Sequence, residues 1–173
     1  MILKVNMQVD NNIVLEIKGL GIIMYSESSA AHIKIGEDYF TNHFQAPSDV
    51  LKHIYNGTIV GFGTGTSGKF ILNINDGYPD EKELKNSEYK LRLCIVINDG
   101  KIIFRDLYDL FEWNPAYSKK KSFEIDNGIY HITLCTNTPQ SGILGDNQVI
   151  SIFLKKLYEL PSLKYEGVPI LCY

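Results

Sequence analysis

The chain has 173 residues, of which 45% are hydrophobic and 21% charged, and its 17 basic and 20 acidic side chains give a net charge of −3. These values exclude a disordered or collagen-like chain, and they argue against a broad basic face for nucleic acid. The sequence contains no apolar run long enough for a membrane span and no signal-peptide pattern. We therefore expect one domain over residues 1–173, in a cytoplasmic protein that binds neither membranes nor nucleic acid.

Six segments predict β-strands, because their apolar and polar residues alternate or because β-branched residues dominate them. In the first, alternate apolar residues from Leu3 to Val9 share one face, and in the second, Gly19 and Gly21 divide the run into two short strands. The six segments are 3–9, 13–25, 31–35, 70–75, 89–98 and 149–155.

Four Asn-Gly or Asp-Gly dipeptides mark turns, because these residues tolerate the positive φ angles of tight hairpins. They are Asn56-Gly57, Asp76-Gly77, Asp99-Gly100 and Asn127-Gly128. The last two predict hairpins, one from 95–98 into 101–105 and the other from 123–125 into 129–135. Helical signals are short. Ser48 is a candidate cap for one turn that runs through Ile54, and residues 107–113 predict another after Asp106.

These elements predict an all-β fold, an antiparallel β-sandwich with one or two short helical turns. The order of features in residues 1–78 is similar to that in residues 89–160, which suggests two duplicated halves on either side of the charged segment 76–88. The alternative stays open, because any two sets of strands joined by Asn-Gly turns give similar coincidences.

The segment from Gly63 to Lys69 matches the G-x-x-x-x-G-K frame of a phosphate-binding loop. Such a loop needs Ser or Thr at the next position and a helix starting there, whereas Phe70 occupies that position and begins a strand pattern. We therefore expect a bend or hairpin here rather than a nucleotide site.

Nothing in the sequence assembles a catalytic or metal-binding set. Cys94, Cys135 and Cys172 form no close pair, so we interpret them as buried thiols in a reducing compartment. We predict a protein that is not an enzyme and that uses no cofactor and no metal. A hydrolase would need His131 or His53 beside a carboxylate in a cleft.

Two acidic stretches are candidates for binding a partner. Segment 76–88 holds five acids and two lysines, and segment 105–113 interleaves acids with aromatic residues. Acids attract a basic protein surface and aromatic side chains anchor it, so we predict this partner-binding set: Asp80, Glu81, Glu83, Asp106, Asp109, Glu112 and Trp113. The alternative is an ordinary charged loop with Trp113 in the core.

The second half of the chain contains residues 107–109, Trp113 and the strand 122–134 with its Gly128-Ile129-Tyr130 pattern. Together these features resemble small bacterial β-sandwich immunity and inhibitor proteins, a group that includes the competence-nuclease inhibitor. The segment from Gly57 to Phe70 is similar to the first-half strands of such proteins. The resemblance implies a protein that neutralises a nuclease-type bacterial toxin by stoichiometric binding, with a basic toxin domain as its partner.

Three other functions fit the same residues. A small-molecule or carbohydrate-binding β-sandwich would present tyrosine and tryptophan faces in a groove, and 12% of the residues are aromatic. A hydrolase would require the histidine site described above, and a structural subunit would associate with itself.

Overall fold

A computed structural model describes residues 11–117, 119–165 and 167–172, so the strand expected at 3–9 lies outside the described residues. The strands are β1 (Asn12–Ile17), β2 (Gly21–Tyr25), β3 (Ile59–Gly63), β4 (Gly68–Asp76), β5 (Tyr89–Ile97), β6 (Lys101–Asp106), β7 (Lys121–Glu124), β8 (Gly128–Thr136) and β9 (Gln148–Leu157). The helices are α1 (Tyr39–His43), α2 (Pro47–Asn56) and α3 (Glu81–Asn86), with 3-10 helices at Glu27–Ala30 and Leu107–Phe111.

The strands form two sheets in the described chain. The first sheet has the order β1-β4-β9-β8-β5, and the second has the order β3-β2-β6-β7. The β4–β9 pair is parallel and the other pairs are antiparallel. The fold is therefore mostly β with few short helices, as the sequence predicts, and the duplication of its halves stays a prediction.

The main core lies between the two sheets, in a sandwich-like arrangement. Period-two alternation turns Leu93, Ile95 and Ile97 of β5 inward, where they join Ile22 and Met24 of β2 in one buried cluster. The residues on the other face of the second sheet, which points away from the first sheet, are also apolar. The second sheet therefore has a core on each of its faces.

The second core packs the helices on the outer face of the second sheet. Ile23 of β2 lies in a cluster with Val50 and Ile54 of α2. The predicted helix is confirmed, but Ser48 does not cap it, because the helix begins at Pro47 and its N-cap is Ala46. Gly57 ends it with φ of +63°, so this Asn-Gly dipeptide caps a helix rather than turning a hairpin.

One strand prediction and two hairpin predictions are wrong. Segment 31–35 is a turn, in which Ile33 is buried and Ile35 is 76% exposed. The two predicted hairpins are wrong because β5 and β6 lie in different sheets, as do β7 and β8. Their turns pack on each other instead, with the Gly100 N–H donating to Asn127 Oδ1 at 2.7 Å.

The C-terminal segment closes the side of the molecule where β3 and β5 are edge strands. The Leu171 N–H donates to the Gly63 carbonyl at 2.8 Å, and the Gly63 N–H donates to the Pro169 carbonyl at 2.6 Å. Tyr165 donates its hydroxyl proton to the Arg92 carbonyl. This segment therefore covers backbone groups that an edge strand would otherwise expose.

The glycine-rich segment before β4 is a bend, as predicted. No helix follows Lys69, whose N–H donates to the Gly145 carbonyl at 2.8 Å. Within the ranges that the structure describes, no helix is long and apolar enough to cross a membrane.

The close approach of Gly68 to Gly145 provides a test of the fold. Gly68 has φ of +146°, and an added Cβ would overlap the Gly145 backbone. We expect Gly68→Ala to lower the free energy of unfolding by about 3 kcal/mol. The new methyl group would overlap the Gly145 backbone, and alanine would also be strained at this positive φ. Gly142→Ala is the control, since φ there is +76° but the site is open, and it should lose only about 1 kcal/mol. Urea denaturation measures both values, and equal losses would contradict this packing.

Candidate functional site

The segment that follows β6 is organised around a buried cation, Arg105. Its side chain is 1% exposed and makes three hydrogen bonds inside the protein. Nε donates to Asp109 Oδ2 at 2.8 Å, and Nη1 donates to the Asn114 carbonyl at 3.0 Å and to the Tyr25 hydroxyl at 3.4 Å. These partners compensate the lost hydration of the charge and tie residues 105–114 to β2.

Aromatic rings enclose the same guanidinium. Its carbon lies 4.3 Å from the centroid of the Trp113 ring and 5.4 Å from that of Tyr117. Trp113 is 2% exposed and meets Tyr25 edge to face, with ring centroids 5.6 Å apart. Burial raises the pKa of Asp109, while its hydrogen bond with Arg105 opposes that rise. Trp113 and Asp109 are thus parts of the support for the loop.

Asp106 fixes the start of the 3-10 helix. Its side chain accepts from the Tyr108 N–H at 3.0 Å, which caps the helix, and from the N–H groups of Lys18 and Gly19 at 2.7 and 3.0 Å. One carboxylate therefore joins the β1–β2 connection to residues 106–108. Gly19 is required there, because a Cβ would lie 2.5 Å from the Tyr108 ring.

The outer side of this fixed turn carries three aromatic residues, Phe40, Tyr108 and Phe111, which we call the aromatic ridge. The ring centroids of Phe111 and Phe40 are 4.4 Å apart, and those of Tyr108 and Phe111 are 5.4 Å apart. Tyr108 is 43% exposed and Phe111 is 39% exposed. These rings keep apolar area in contact with water, which is the property of an interaction surface.

Two acidic residues are next to the aromatic ridge in the chain. Glu112 is exposed and follows Phe111 directly, and Asp38 caps the helix that carries Phe40. The Trp113 N–H donates to the Glu37 carbonyl at 3.0 Å, so backbone pairing holds the chain segments before α1 and after Phe111 together. Exposed rings and neighbouring acidic residues are thus brought to one region of the surface.

The structure separates the two acidic groups that the sequence suggested. Asp80, Glu81 and Glu83 form the first turn of α3, where Asp80 accepts from the Glu83 N–H at 2.7 Å. Lys90 of β5 donates to a carbonyl of α3, whereas Asp106 bonds to the end of β1. β1 and β5 are the opposite edges of the first sheet. The ordinary spacing between neighbouring strands places these two edges about 19 Å apart. The complete partner-binding set stays a prediction.

Trp113 lies in the core, which was the alternative interpretation of this residue, and it is not an exposed anchor. Tyr108 and Phe111, which form the exposed pair, were not among the partner-binding residues predicted from the sequence. Side chains three residues apart eclipse each other in a 3-10 helix, so an early assignment of that helix would have found this pair. Phe40 comes from a distant segment, and no local pattern connects it to them.

A second polar cluster joins Tyr39 to two histidines. The Tyr39 hydroxyl oxygen is 2.9 Å from His53 Nε2 and 3.2 Å from His32 Nε2, and His53 Nδ1 is 2.6 Å from Thr58 Oγ1. The phenol has one proton, so it donates to one imidazole and accepts from the other. Both His53 nitrogens are thus engaged within the protein, and Asp49 bonds to neither of them.

His131 and the cysteines also have structural partners. His131 Nδ1 is 3.0 Å from the Tyr78 hydroxyl oxygen, on the outer face of the first sheet. All three cysteines are buried, as predicted, and burial raises the pKa of Cys94 to about 11. Among the described residues, no group of three or more His, Cys, Asp or Glu side chains is placed to hold a metal ion.

The buried ion pair predicts unequal effects of two neighbouring neutral substitutions. Asp109→Asn leaves the Arg105 cation buried without its counterion, so we expect the free energy of unfolding to fall by about 3 kcal/mol. Glu112→Gln removes an exposed charge and should change it by less than about 0.5 kcal/mol. Chemical denaturation compares the two variants, and a loss below about 1 kcal/mol for Asp109→Asn would contradict the role of this pair.

The Tyr39 cluster predicts a pH dependence of stability. Burial, with a smaller contribution from His32, lowers the pKa of His53 from 6.5 to about 4. The unfolded chain then binds more protons between these values, so stability is complete above pH 6.5 and decreases as the pH falls to about 4. We expect a loss on the order of 2 kcal/mol, after allowance for solvent screening at this partly accessible site.

Denaturation at several pH values tests this dependence. His53→Gln removes the titrating group and should flatten the profile over that range, whereas the exposed His43→Gln should retain it. An unchanged profile in His53→Gln would refute the assignment.

Comparisons with known proteins find similarity at the level of structure. No protein-family model matches the chain, and no curated protein matches it. The structure named Crocagin biosynthetic gene J is 13% identical, with a TM-score of 0.51 over 83% of this chain and 95% of that one. The crystal structure of ComJ, inhibitor of the DNA degrading activity of NucA, from Bacillus subtilis, is also 13% identical, with a TM-score of 0.49 over 84% of this chain and 95% of that one. At these identities, the likeness to the crocagin protein concerns the fold alone.

Proposed function

We propose that this chain is a cytoplasmic immunity protein or inhibitor that neutralises a nuclease-type bacterial toxin by stoichiometric binding. It acts without a cofactor and is not an enzyme. The observation that carries the proposal is the aromatic ridge, two of whose rings are exposed on a turn fixed by the buried Arg105. The partner is a protein with a basic surface around an apolar depression.

The fixed turn favours binding because little conformational freedom remains to be lost. Asp106 caps the start of the 3-10 helix, and Asp109 in the middle of the helix is paired with Arg105, before any partner arrives. Tyr108 and Phe111 already contact each other, so their rings are ordered in the free protein. A preorganised aromatic pair retains more of its burial energy as affinity than a flexible pair would.

The acidic residues take different parts in this proposal. Glu112 lies next to the aromatic ridge and pairs with a lysine or arginine of the toxin, whose active site is basic because it binds nucleic-acid phosphates. The acids Asp80, Glu81 and Glu83 steer the toxin at longer range. Asp106, Asp109 and Trp113 act by holding the ridge in place.

The proposal predicts which substitutions weaken the complex. A tagged form of the protein captures its partner from host lysate, and the purified pair is compared by affinity measurement and a nuclease assay. We expect one-to-one inhibition of nuclease activity. Phe111→Ala should weaken binding by about 2 kcal/mol, roughly thirtyfold, and Glu112→Lys should slow association in a salt-sensitive manner.

Tyr158→Ala provides the matched control, because Tyr158 is fully exposed and lies outside the aromatic ridge. It should bind as the unchanged protein does. Two results would reject the proposal: a captured partner without nuclease activity, or a Phe111→Ala protein that inhibits the nuclease as strongly as before.

A further inference from the structure

A cleft of about 670 Å³ opens beside the aromatic ridge, and the proposed function does not use its lysines. The last residues of β1 and the first residues of β4 form one wall, and residues from the β6–β7 connection form the other. This volume is in the range of small-molecule sites, which are commonly a few hundred Å³ or more.

Three lysines from separate segments line the cleft. Lys18 follows β1, Lys69 belongs to β4, and Lys119 precedes β7. All three are exposed, and within the described chain none of them is in a salt bridge. Unpaired ammonium groups that share one cleft repel each other, and an anion bound between them relieves that repulsion.

Two of the three carboxylates in the cleft already have partners. Asp106 accepts three backbone N–H groups, and Asp109 is paired with Arg105. Glu16 lies opposite Lys69 in the β1–β4 register. The lining therefore holds three lysines and three carboxylates, and with Asp106 and Asp109 engaged elsewhere only Glu16 is left to balance the lysines.

Two phenol rings complete the cleft. Tyr108 is largely accessible, and Tyr117 is half-buried with its ring near the Arg105 guanidinium. Rings of this kind offer flat apolar faces to the uncharged part of a ligand. Lysines bind phosphate as compact point charges, and a dianionic phosphate satisfies more of them than a single carboxylate does.

We propose that this cleft binds a small organic phosphate, with the phosphate at Lys18, Lys69 and Lys119 and the uncharged part against Tyr108 and Tyr117. The site differs from a phosphate-binding loop, in which backbone N–H groups surround the phosphate, because the Lys69 N–H is bonded to the Gly145 carbonyl. It shares Tyr108 with the aromatic ridge, and it can be tested on the isolated protein.

Isothermal titration with ATP, pyrophosphate and adenosine tests the site. We expect saturable binding of ATP and weaker binding of pyrophosphate, and no binding of adenosine alone. The Lys69→Ala/Lys119→Ala protein should bind ATP and pyrophosphate at least about tenfold more weakly. Tyr117→Ala should weaken ATP binding but leave pyrophosphate binding unchanged.

Lys82→Ala is the control, because Lys82 is an exposed lysine of α3 outside the cleft. Circular dichroism confirms that each variant is folded. The proposal is overturned if neither ATP nor pyrophosphate binds saturably, or if Lys82→Ala weakens ATP binding as much as the double variant does.

Discussion

The buried guanidinium of Arg105 is the constraint on which the candidate site depends. A charge that is 1% exposed must find its partners inside the protein, and here they come from β2, the 3-10 helix and the loop after it. Satisfying this charge fixes Asp109 and Trp113 in place. The same geometry turns Tyr108 and Phe111 outward, so a requirement of the core determines what the surface presents.

Strands of both sheets hold the segment around Arg105 in place. β2 lies between β3 and β6 in the second sheet, and apolar residues cover both of its faces. Tyr25 at its end therefore offers Arg105 a rigid partner. Asp106 connects the same turn to the end of β1 in the first sheet, so both sheets hold the segment that carries the aromatic ridge.

The sequence predicted local structure well and long-range partners poorly. Alternation in 70–75 and 89–98 located β4 and β5, because burial of one face imposes a period of two. It could not identify which strands pair, since an Asp-Gly turn serves equally for a hairpin and for a crossing between sheets. The roles of Asp109 and Trp113 were hidden for a similar reason, because a buried arginine in a strand resembles an exposed one until its neighbours are known. The Tyr39 cluster likewise joins residues from separate segments.

Hydrogen exchange of the protein, alone and in complex with its captured partner, tests the central claim most directly. If the aromatic ridge is the interface, protection on binding will concentrate in residues 36–44 and 106–113, and it will be lost in the Tyr108→Ala/Phe111→Ala protein. Protection confined to α3, or to the outer face of the first sheet, would contradict the account and place the interface elsewhere.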